Sequence, residues 1–163
     1  SNICTAQVLL AVMAGMYAVY HGPKGLQYIA NKVHNATSSL DKALQGLGFA
    51  QENSAYFDTL KVKANADNVK RVAEAKGVNF YYADADTVTI SLNETTSLFD
   101  INTIIAIFAE ATGKDAFTIS QLGNDTMVPE NLVRKSTFLQ YDVFNNHHSE
   151  SQLMESRSLE LLL

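Results

Sequence analysis

A long amphipathic helix, predicted over residues 24–45, constrains the fold more than any other feature of this sequence. Apolar side chains recur along one of its faces, at Leu26, Ile29, Val33, Leu40, Leu44 and Leu47. Gly46 follows as the stop signal. No other element of the chain is as long or as periodic, so the fold must be organised with this helix.

Another helix is predicted before it, from a cap at Thr5 to about His21, where Gly22 and Pro23 end it. The run from Val8 to Tyr20 is wholly apolar or small, but it is shorter than the about 20 residues that cross a bilayer. No positive side chain precedes the run, so a signal peptide is not expected either. We therefore predict a buried helix, and in a chain this small the neighbour that covers it on every side is expected to be missing.

The remaining sequence predicts strands and shorter helices in an α+β fold. These are a strand over Tyr56–Lys63, a helix over Asn65–Lys76 with Val69, Val72 and Ala73 inward, strands over Val78–Tyr82 and Thr87–Leu92, and a helix that Asp100 caps and Gly113 ends. A capping box of Ser149 and Gln152 would open a last helix through Leu159. A short turn joins the second and third strands, which predicts an antiparallel hairpin. The expected architecture is helices packed on a small, mostly antiparallel sheet.

Composition and charge exclude several classes of partner. The net charge is −5, with 12 basic and 17 acidic residues mixed along the chain. No basic run could neutralise a phosphate backbone or an anionic membrane, so neither nucleic acid nor a membrane surface is an expected partner. The single cysteine, Cys4, excludes an internal disulfide and indicates a reducing compartment.

Three motifs invite a chemical interpretation and have a simpler structural one. The glycines of Gly46-Leu47-Gly48 resemble the start of a dinucleotide fingerprint, but they end a helix and do not open one. Asp84 and Asp86 could hold a cation, yet in a hairpin turn they are typical turn formers. The adjacent His147 and His148 could ligate a metal, but a hydrogen-bonding or docking role suits their spacing better. No metal site is expected.

A catalytic nucleophile or cofactor lysine is not expected either. Cys4 has no base nearby in the sequence. The lysines lie at exposed positions of amphipathic elements, where nothing would desolvate an amine for Schiff-base chemistry. These are Lys24, Lys32, Lys42, Lys61, Lys63, Lys70, Lys76, Lys114 and Lys135. From its residues alone, the chain is predicted to be an α+β domain without a complete active site.

A family resemblance is carried by Ser1–Gln7, Met16–Pro23 with Gly25 and Leu26, Phe57–Leu60, Ile90–Thr96 and Phe144–Glu150. These stretches resemble the glycine-cleavage P-protein family, whose activity is that of glycine dehydrogenase (decarboxylating). The similarity extends from Ser1 to about Met154 in the family's order and rough spacing. At Tyr81 and Tyr82 many relatives would have an arginine, and the tail Glu155–Leu163 departs from the family pattern. A start at Ser1 without methionine also suits an internal fragment.

The resemblance implies a fold-type I pyridoxal-phosphate enzyme built from two homologous halves. The chain would be the end of the first half: residues 1–23 leave the large domain, residues 24–120 form the α+β small domain, and residues 121–163 are a linker or arm toward the second half. The family's cofactor lysine belongs to the second half, so pyridoxal phosphate is expected in the parent enzyme and not in the isolated fragment.

The resemblance also implies partners and a location. The parent decarboxylates glycine and passes the aminomethyl group to the lipoyl arm of the H-protein. Its partners would be the remainder of the P-protein chain, the H-protein and a second copy in a homodimer. The expected location is the bacterial cytoplasm, or the mitochondrion in a eukaryote.

Two short segments carry the most family-specific polar residues and are the candidate pocket or interface residues. These are Asn2, Thr5 and Gln7 in the first segment, and Asn145, His148, Ser149 and Glu150 in the second. They would line or brace the interface between the two halves. The alternative is that they only cap helices and bond turns.

Two other functions stay open on the sequence. A ligand-sensing domain of the ferredoxin-like ACT type would share the βαββα order, although it explains neither leading helix and the chain lacks a glycine-rich effector loop. An oligomerisation module would use the apolar first helix as a dimer contact.

Overall fold

The computed structural model describes residues 5–124 and 128–160. The helices are α1 (Thr5–Gly46), α2 (Ala66–Ala75), α3 (Leu98–Ala111) and α4 (Glu150–Glu160). The strands are β1 (Ala50–Gln51), β2 (Thr59–Lys63), β3 (Tyr81–Asp84) and β4 (Thr87–Ser91). Short 3-10 turns occupy Glu130–Leu132 and Asp142–Phe144. This architecture confirms the α+β prediction.

The chain divides into two compact units. One unit combines Ser1–Ile29 with Arg134–Leu163, and the other consists of Ala30–Val133. Helix α1 contributes its first part to the former and its second part to the latter.

Gly22 divides α1 into two helical segments, residues 5–21 and 23–46. Its backbone has a φ of 59° and a ψ of −178°, which is not helical. A positive φ is readily adopted by glycine, and Pro23 is well placed at the first position of the next helix. The predicted helix end at Gly22 and the predicted start of the next helix are confirmed. The two helices are joined directly through Gly22, at a kink.

The second unit is built on a four-stranded antiparallel sheet with the order β1-β2-β4-β3. In the central pair, Leu60 faces Ile90 and Val62 faces Val88. These four side chains are buried on the same face of the sheet. The predicted hairpin between β3 and β4 is confirmed, whereas the two-residue strand β1 was not anticipated.

Strand β3 begins at Tyr81, three residues later than predicted, because the end of α2 uses the intervening chain. Gly77 has a φ of 71°. The Gly77 amide donates to the Glu74 carbonyl at 3.1 Å, and the Val78 amide donates to the Ala73 carbonyl at 2.9 Å. This glycine-based helix cap commits Val78 to α2 and delays the strand.

The cap of α3 was assigned to the wrong residue. Ser97 is the N-cap, and its hydroxyl accepts a hydrogen bond from the Asp100 amide at 3.3 Å. The Asp100 carboxylate accepts in return from the Ser97 amide at 2.8 Å. Asp100 is therefore the third residue of a reciprocal capping box. The Ser97 hydroxyl, at 2.7 Å, and the Ser97 amide both donate to its carboxylate and lower the pKa of that carboxyl.

The core of the second unit lies between the sheet and three helices. Leu40 and Leu44 of α1, Val69, Val72 and Ala73 of α2, and Ile101, Ile105 and Phe108 of α3 are all buried against the inner face of the sheet. The inward positions predicted for α2 are confirmed.

The first segment of α1 is helical as predicted, but its apolar side chains are exposed in the described structure. Leu9 is 61% exposed, Leu10 64% and Met13 58%. Val19 is buried. The described chain leaves the helix largely uncovered, which agrees with the expectation that its covering neighbour is missing from this chain. Burial requires a neighbouring surface as well as apolar side chains. Among the described residues, none of the helices has the length and hydropathy that a membrane crossing would need.

Candidate functional site

The second group of candidate residues lies in residues 134–149, which we call the return segment because it comes back to α1. Asn145 closes a loop in this segment. Its side-chain amide donates to the carbonyls of Leu139 and Tyr141, each at 3.0 Å. Leu139 has a φ of 50°, an uncommon conformation for a residue with a Cβ. Asn145 therefore braces a tight loop, which matches the turn-bonding alternative.

His148 contacts two carbonyl groups from two different parts of the chain. Its Nδ1 atom lies 3.0 Å from the Tyr20 carbonyl oxygen of α1. Its Nε2 atom lies 3.0 Å from the Asn145 carbonyl oxygen of the return segment. The ring thus connects residues that are 128 positions apart in sequence.

Gly22 is the residue on α1 over which the return segment passes. A Cβ atom at this position would lie 2.6 Å from the Phe144 carbonyl oxygen and 3.0 Å from Cε1 of His148. The sequence predicts only a helix end at Gly22. Its positive φ could be anticipated from the Gly-Pro pair, but the close approach of Phe144 and His148 could not.

Ser149 and Glu150 belong to the start of α4. The Gln152 amide donates to the Ser149 hydroxyl at 3.2 Å, which confirms the predicted cap. The Gln152 side chain accepts from the His148 amide at 2.8 Å, one residue earlier than a standard capping box would require. Glu150 lies in the first turn, where a carboxylate is favoured by the helix dipole.

The first group of candidate residues does not join this cluster. Asn2 and Cys4 lie outside the described residues. Thr5 begins α1, and Gln7 is an exposed residue of its first turns. At a rise of about 1.5 Å per residue, Gln7 is roughly 20 Å from Tyr20 along the helix. The two groups of candidate residues therefore lie at separate positions in the first unit. Their role at an interface between the two halves stays a prediction.

Two of the cavities that adjoin the return segment are also lined by residues of α1. One, of about 400 Å³, lies at the kink and is lined by Tyr20, His21, Gly22, Pro23, Lys24, Asn145 and His148. The other is an open cleft of about 620 Å³. Its lining includes Pro23 and Gln27 of α1, the basic Arg134 and Lys135, and Asp142. Their polar linings could contact another protein segment, but neither cavity presents a nucleophile with its base.

The second unit contains a buried polar cluster that sequence analysis missed. The Asp41 carboxylate accepts from the Tyr56 hydroxyl at 2.8 Å and from the Gln45 side-chain amide at 2.9 Å. Burial and the neighbouring carboxylate raise the pKa of Tyr56 to about 12. The His34 ring lies 2.9 Å from the Phe57 carbonyl oxygen. These bonds tie α1 to the chain before β2, so the cluster has a structural role.

The lysines of the chain do not provide a site for pyridoxal phosphate. Eight are exposed, and Lys61, the half-buried one, is paired with Glu52 at 3.1 Å. Schiff-base chemistry favours an amine that is desolvated or lies next to another cation, so these residues do not fit covalent attachment of the cofactor. In residues 5–124 and 128–160, no three His, Cys, Asp or Glu side chains are grouped as metal ligands would be.

The comparison with protein families identifies the family of the chain. The model for the glycine cleavage system P-protein matches residues 1–108. The chain belongs to this family. The matched range includes all of α1, the sheet and most of α3, so family membership rests on both units. This match favours neither the ACT-like alternative nor the oligomerisation module.

Curated members of the family extend the match beyond residue 108. The chain is 66% identical over 154 residues to the glycine dehydrogenase (decarboxylating) of Flavobacterium johnsoniae. It is 59% identical over 154 residues to the protein of the same name from Christiangramia forsetii. Each alignment covers 94% of the chain but only 16% of the relative. The chain thus spans about a sixth of the length of these P-proteins.

Proposed function

We propose that this chain acts as an internal segment of a longer glycine dehydrogenase (decarboxylating), in which it scaffolds a reaction carried out elsewhere in the protein. The alignment of 94% of the chain with 16% of a relative carries the proposal. In that protein, residues 1–23 would leave the large domain, residues 24–120 would form the small domain, and residues 121–163 would lead to the second half.

The exposed apolar part of α1 supports a scaffolding role. Its large apolar side chains are half exposed along successive turns, and this patch is defined by Val8, Leu9, Leu10, Val12, Met13, Met16, Tyr17 and Tyr20. Contiguous apolar surface of this kind is typical of a protein–protein contact. We propose that the remainder of the same P-protein chain covers it.

The cofactor and partners follow from the family as proposals. When bound to the parent enzyme, pyridoxal phosphate would act as the electron sink for the carbanion formed as carbon dioxide leaves glycine. The present residues would support the fold around that chemistry, because none of their lysines is desolvated. The lipoyl H-protein would receive the aminomethyl group, and the parent would form a homodimer. We also propose a cytoplasmic location, as the relatives named above are bacterial.

The candidate residues would serve this scaffold. Asn145, His148, Ser149 and Glu150 would direct the chain toward the second half, and Asn2, Thr5 and Gln7 would lie where it leaves the catalytic layer. Helix capping and turn bonding, which the structure contains for Asn145 and Ser149, are the means by which they would do so.

A chimera tests the proposal directly. Residues 1–154 would replace the aligned segment of the Flavobacterium johnsoniae enzyme, and release of carbon dioxide from glycine would be measured with H-protein present. We expect activity within about tenfold of the parent, a cost of no more than about 1.4 kcal/mol in the barrier. The control replaces the segment with a flexible linker and should be inactive. A chimera that binds pyridoxal phosphate but releases no carbon dioxide would contradict the proposal.

The isolated chain provides a second test. Mixed with pyridoxal phosphate, it should show no absorption band of a Schiff base beyond that of free exposed lysines, and it should not decarboxylate glycine. Decarboxylation by the chain alone would show that a catalytic site had been overlooked.

A further inference from the structure

We propose that the His148 ring is a clamp that holds the return segment and α4 against the kink of α1, and that the clamp is closed when both ring nitrogens carry a proton. The proposal rests on the proposed function only for where the chain leads after α4. The clamp itself is a property of the unit formed by residues 5–29 and 134–160.

The geometry requires two donors on the ring. Nδ1 faces the Tyr20 carbonyl and Nε2 faces the Asn145 carbonyl, both at 3.0 Å. A carbonyl oxygen only accepts hydrogen bonds, and a neutral imidazole has only one N–H. Both contacts are hydrogen bonds at the same time only in the imidazolium form. Losing one proton therefore leaves two acceptors facing each other at one of the two contacts.

The surrounding chain is shaped to this position of the ring. Gly22 lacks a Cβ where one would lie 3.0 Å from His148 Cε1 and 2.6 Å from the Phe144 carbonyl oxygen. The His148 amide is itself held by the Gln152 side chain at 2.8 Å. The kink, the ring and the first turn of α4 are thus joined through a single residue.

The titratable groups around the ring come from both elements that meet there. Tyr20, His21 and Lys24 of α1 line the same cavity as His148. Asp142, His147 and Glu150 belong to its own stretch of chain. The His21 ring contacts the Tyr17 ring in a tilted arrangement, with the ring centroids 4.3 Å apart. A pH effect of the clamp must therefore be assigned by substituting His21 and His147 as well.

Two measurements on this chain test the proposal. In long-range ¹H–¹⁵N spectra, His148 should have two protonated ring nitrogens under the conditions in which residues 142–160 are protected from exchange. Hydrogen exchange at the amides of residues 142–160, corrected for intrinsic rates, should become faster when base removes one of these two protons. Substitutions of the three histidines assign both effects.

The variants distinguish a clamp from simple packing. His148→Ala should speed exchange in residues 142–160 by at least about tenfold, as expected for the loss of two hydrogen bonds. His148→Gln should restore part of the protection without pH dependence, because one amide group carries two N–H donors. His21→Gln and His147→Gln should keep the pH dependence of the wild type.

Several results would overturn the proposal. These are a single protonated ring nitrogen on His148 while residues 142–160 are protected, protection that does not change with pH in the wild type, no rescue by His148→Gln, or equal loosening by His147→Gln. None of them depends on catalysis by the parent enzyme, so a failure of the clamp is distinguishable from a failure of the chimera.

Discussion

The two segments of α1 have similar helical patterns of apolar residues and opposite environments. Leu9 in the first segment is 61% exposed, whereas Leu40 in the second is fully buried against the sheet and the other helices. Helical periodicity alone therefore says which side chains could be buried together, but not whether a surface exists to cover them. The second unit contains its own core, and the first has an exposed apolar surface.

The largest effect should come from truncating the buried segment. Leu40→Ala should lower the free energy of unfolding by about 2–5 kcal/mol, because it leaves a cavity in a packed core. The matched change Leu9→Ala should alter it by less than about 0.5 kcal/mol, since the side chain is exposed and both residues favour helices. Denaturant titration of both variants measures this. Equal destabilisation would show that the first segment is covered after all.

Glycine substitutions compare the interior of the first segment of α1, at Gly15, with its end at Gly22. Gly22→Ala should destabilise by about 1–3 kcal/mol, because of the positive φ and the 2.6 Å approach of the Phe144 carbonyl. Gly15→Ala, where a Cβ meets nothing within 4 Å, should stabilise the helix by about 0.5–1 kcal/mol. Thermal unfolding followed by circular dichroism would show the two signs. If both changes had the same sign, the described kink would be wrong.

Substitutions in the Ser97–Asp100 capping box measure how much the hydrogen bonds at the start of α3 stabilise the second unit. Ser97→Ala should cost about 1 kcal/mol by removing the N-cap of α3. The lowered pKa of Asp100 adds a pH dependence of defined sign. Its contribution is full above about pH 4, the ordinary range of an aspartate, and is lost as the pH falls through the lower folded-state pKa. Acid titration of the wild type should show this loss, and Asp100→Asn should not.

The half-buried Tyr56 should give the smallest effect. Tyr56→Phe should cost about 0.5–1.5 kcal/mol, because it removes the hydrogen bond to Asp41. With its pKa raised to about 12, the stabilisation by Tyr56 should be complete below about pH 10 and disappear as the pH rises through about 12. Tyrosinate absorbance should lose one late-titrating group in Tyr56→Phe, whereas Tyr82, whose pKa burial also raises, should still titrate late. A profile unchanged by the substitution would contradict the described burial.

The features that could be predicted from the sequence are those set by residues close together in the chain. The break at Gly22 and Pro23, the inward face of α2, the hairpin turn at Asp84 and the cap at Ser149 each depend on residues a few positions apart. The errors lie where a competing local bond shifted a boundary, as when the helix cap of α2 delayed β3. Ser97 was missed because its carboxylate partner, Asp100, is also a common cap and was taken for it.

The sequence by itself determined which family the chain belongs to, which segments are helical and where α1 must break, since these depend on periodicity, backbone freedom and short-range bonds. Tertiary structure alone decided that Leu40 is buried while Leu9 is exposed, and that His148 meets Tyr20 across 128 residues. The physical reason is that burial and long-range hydrogen bonds need two surfaces to meet. A linear pattern describes only one of them.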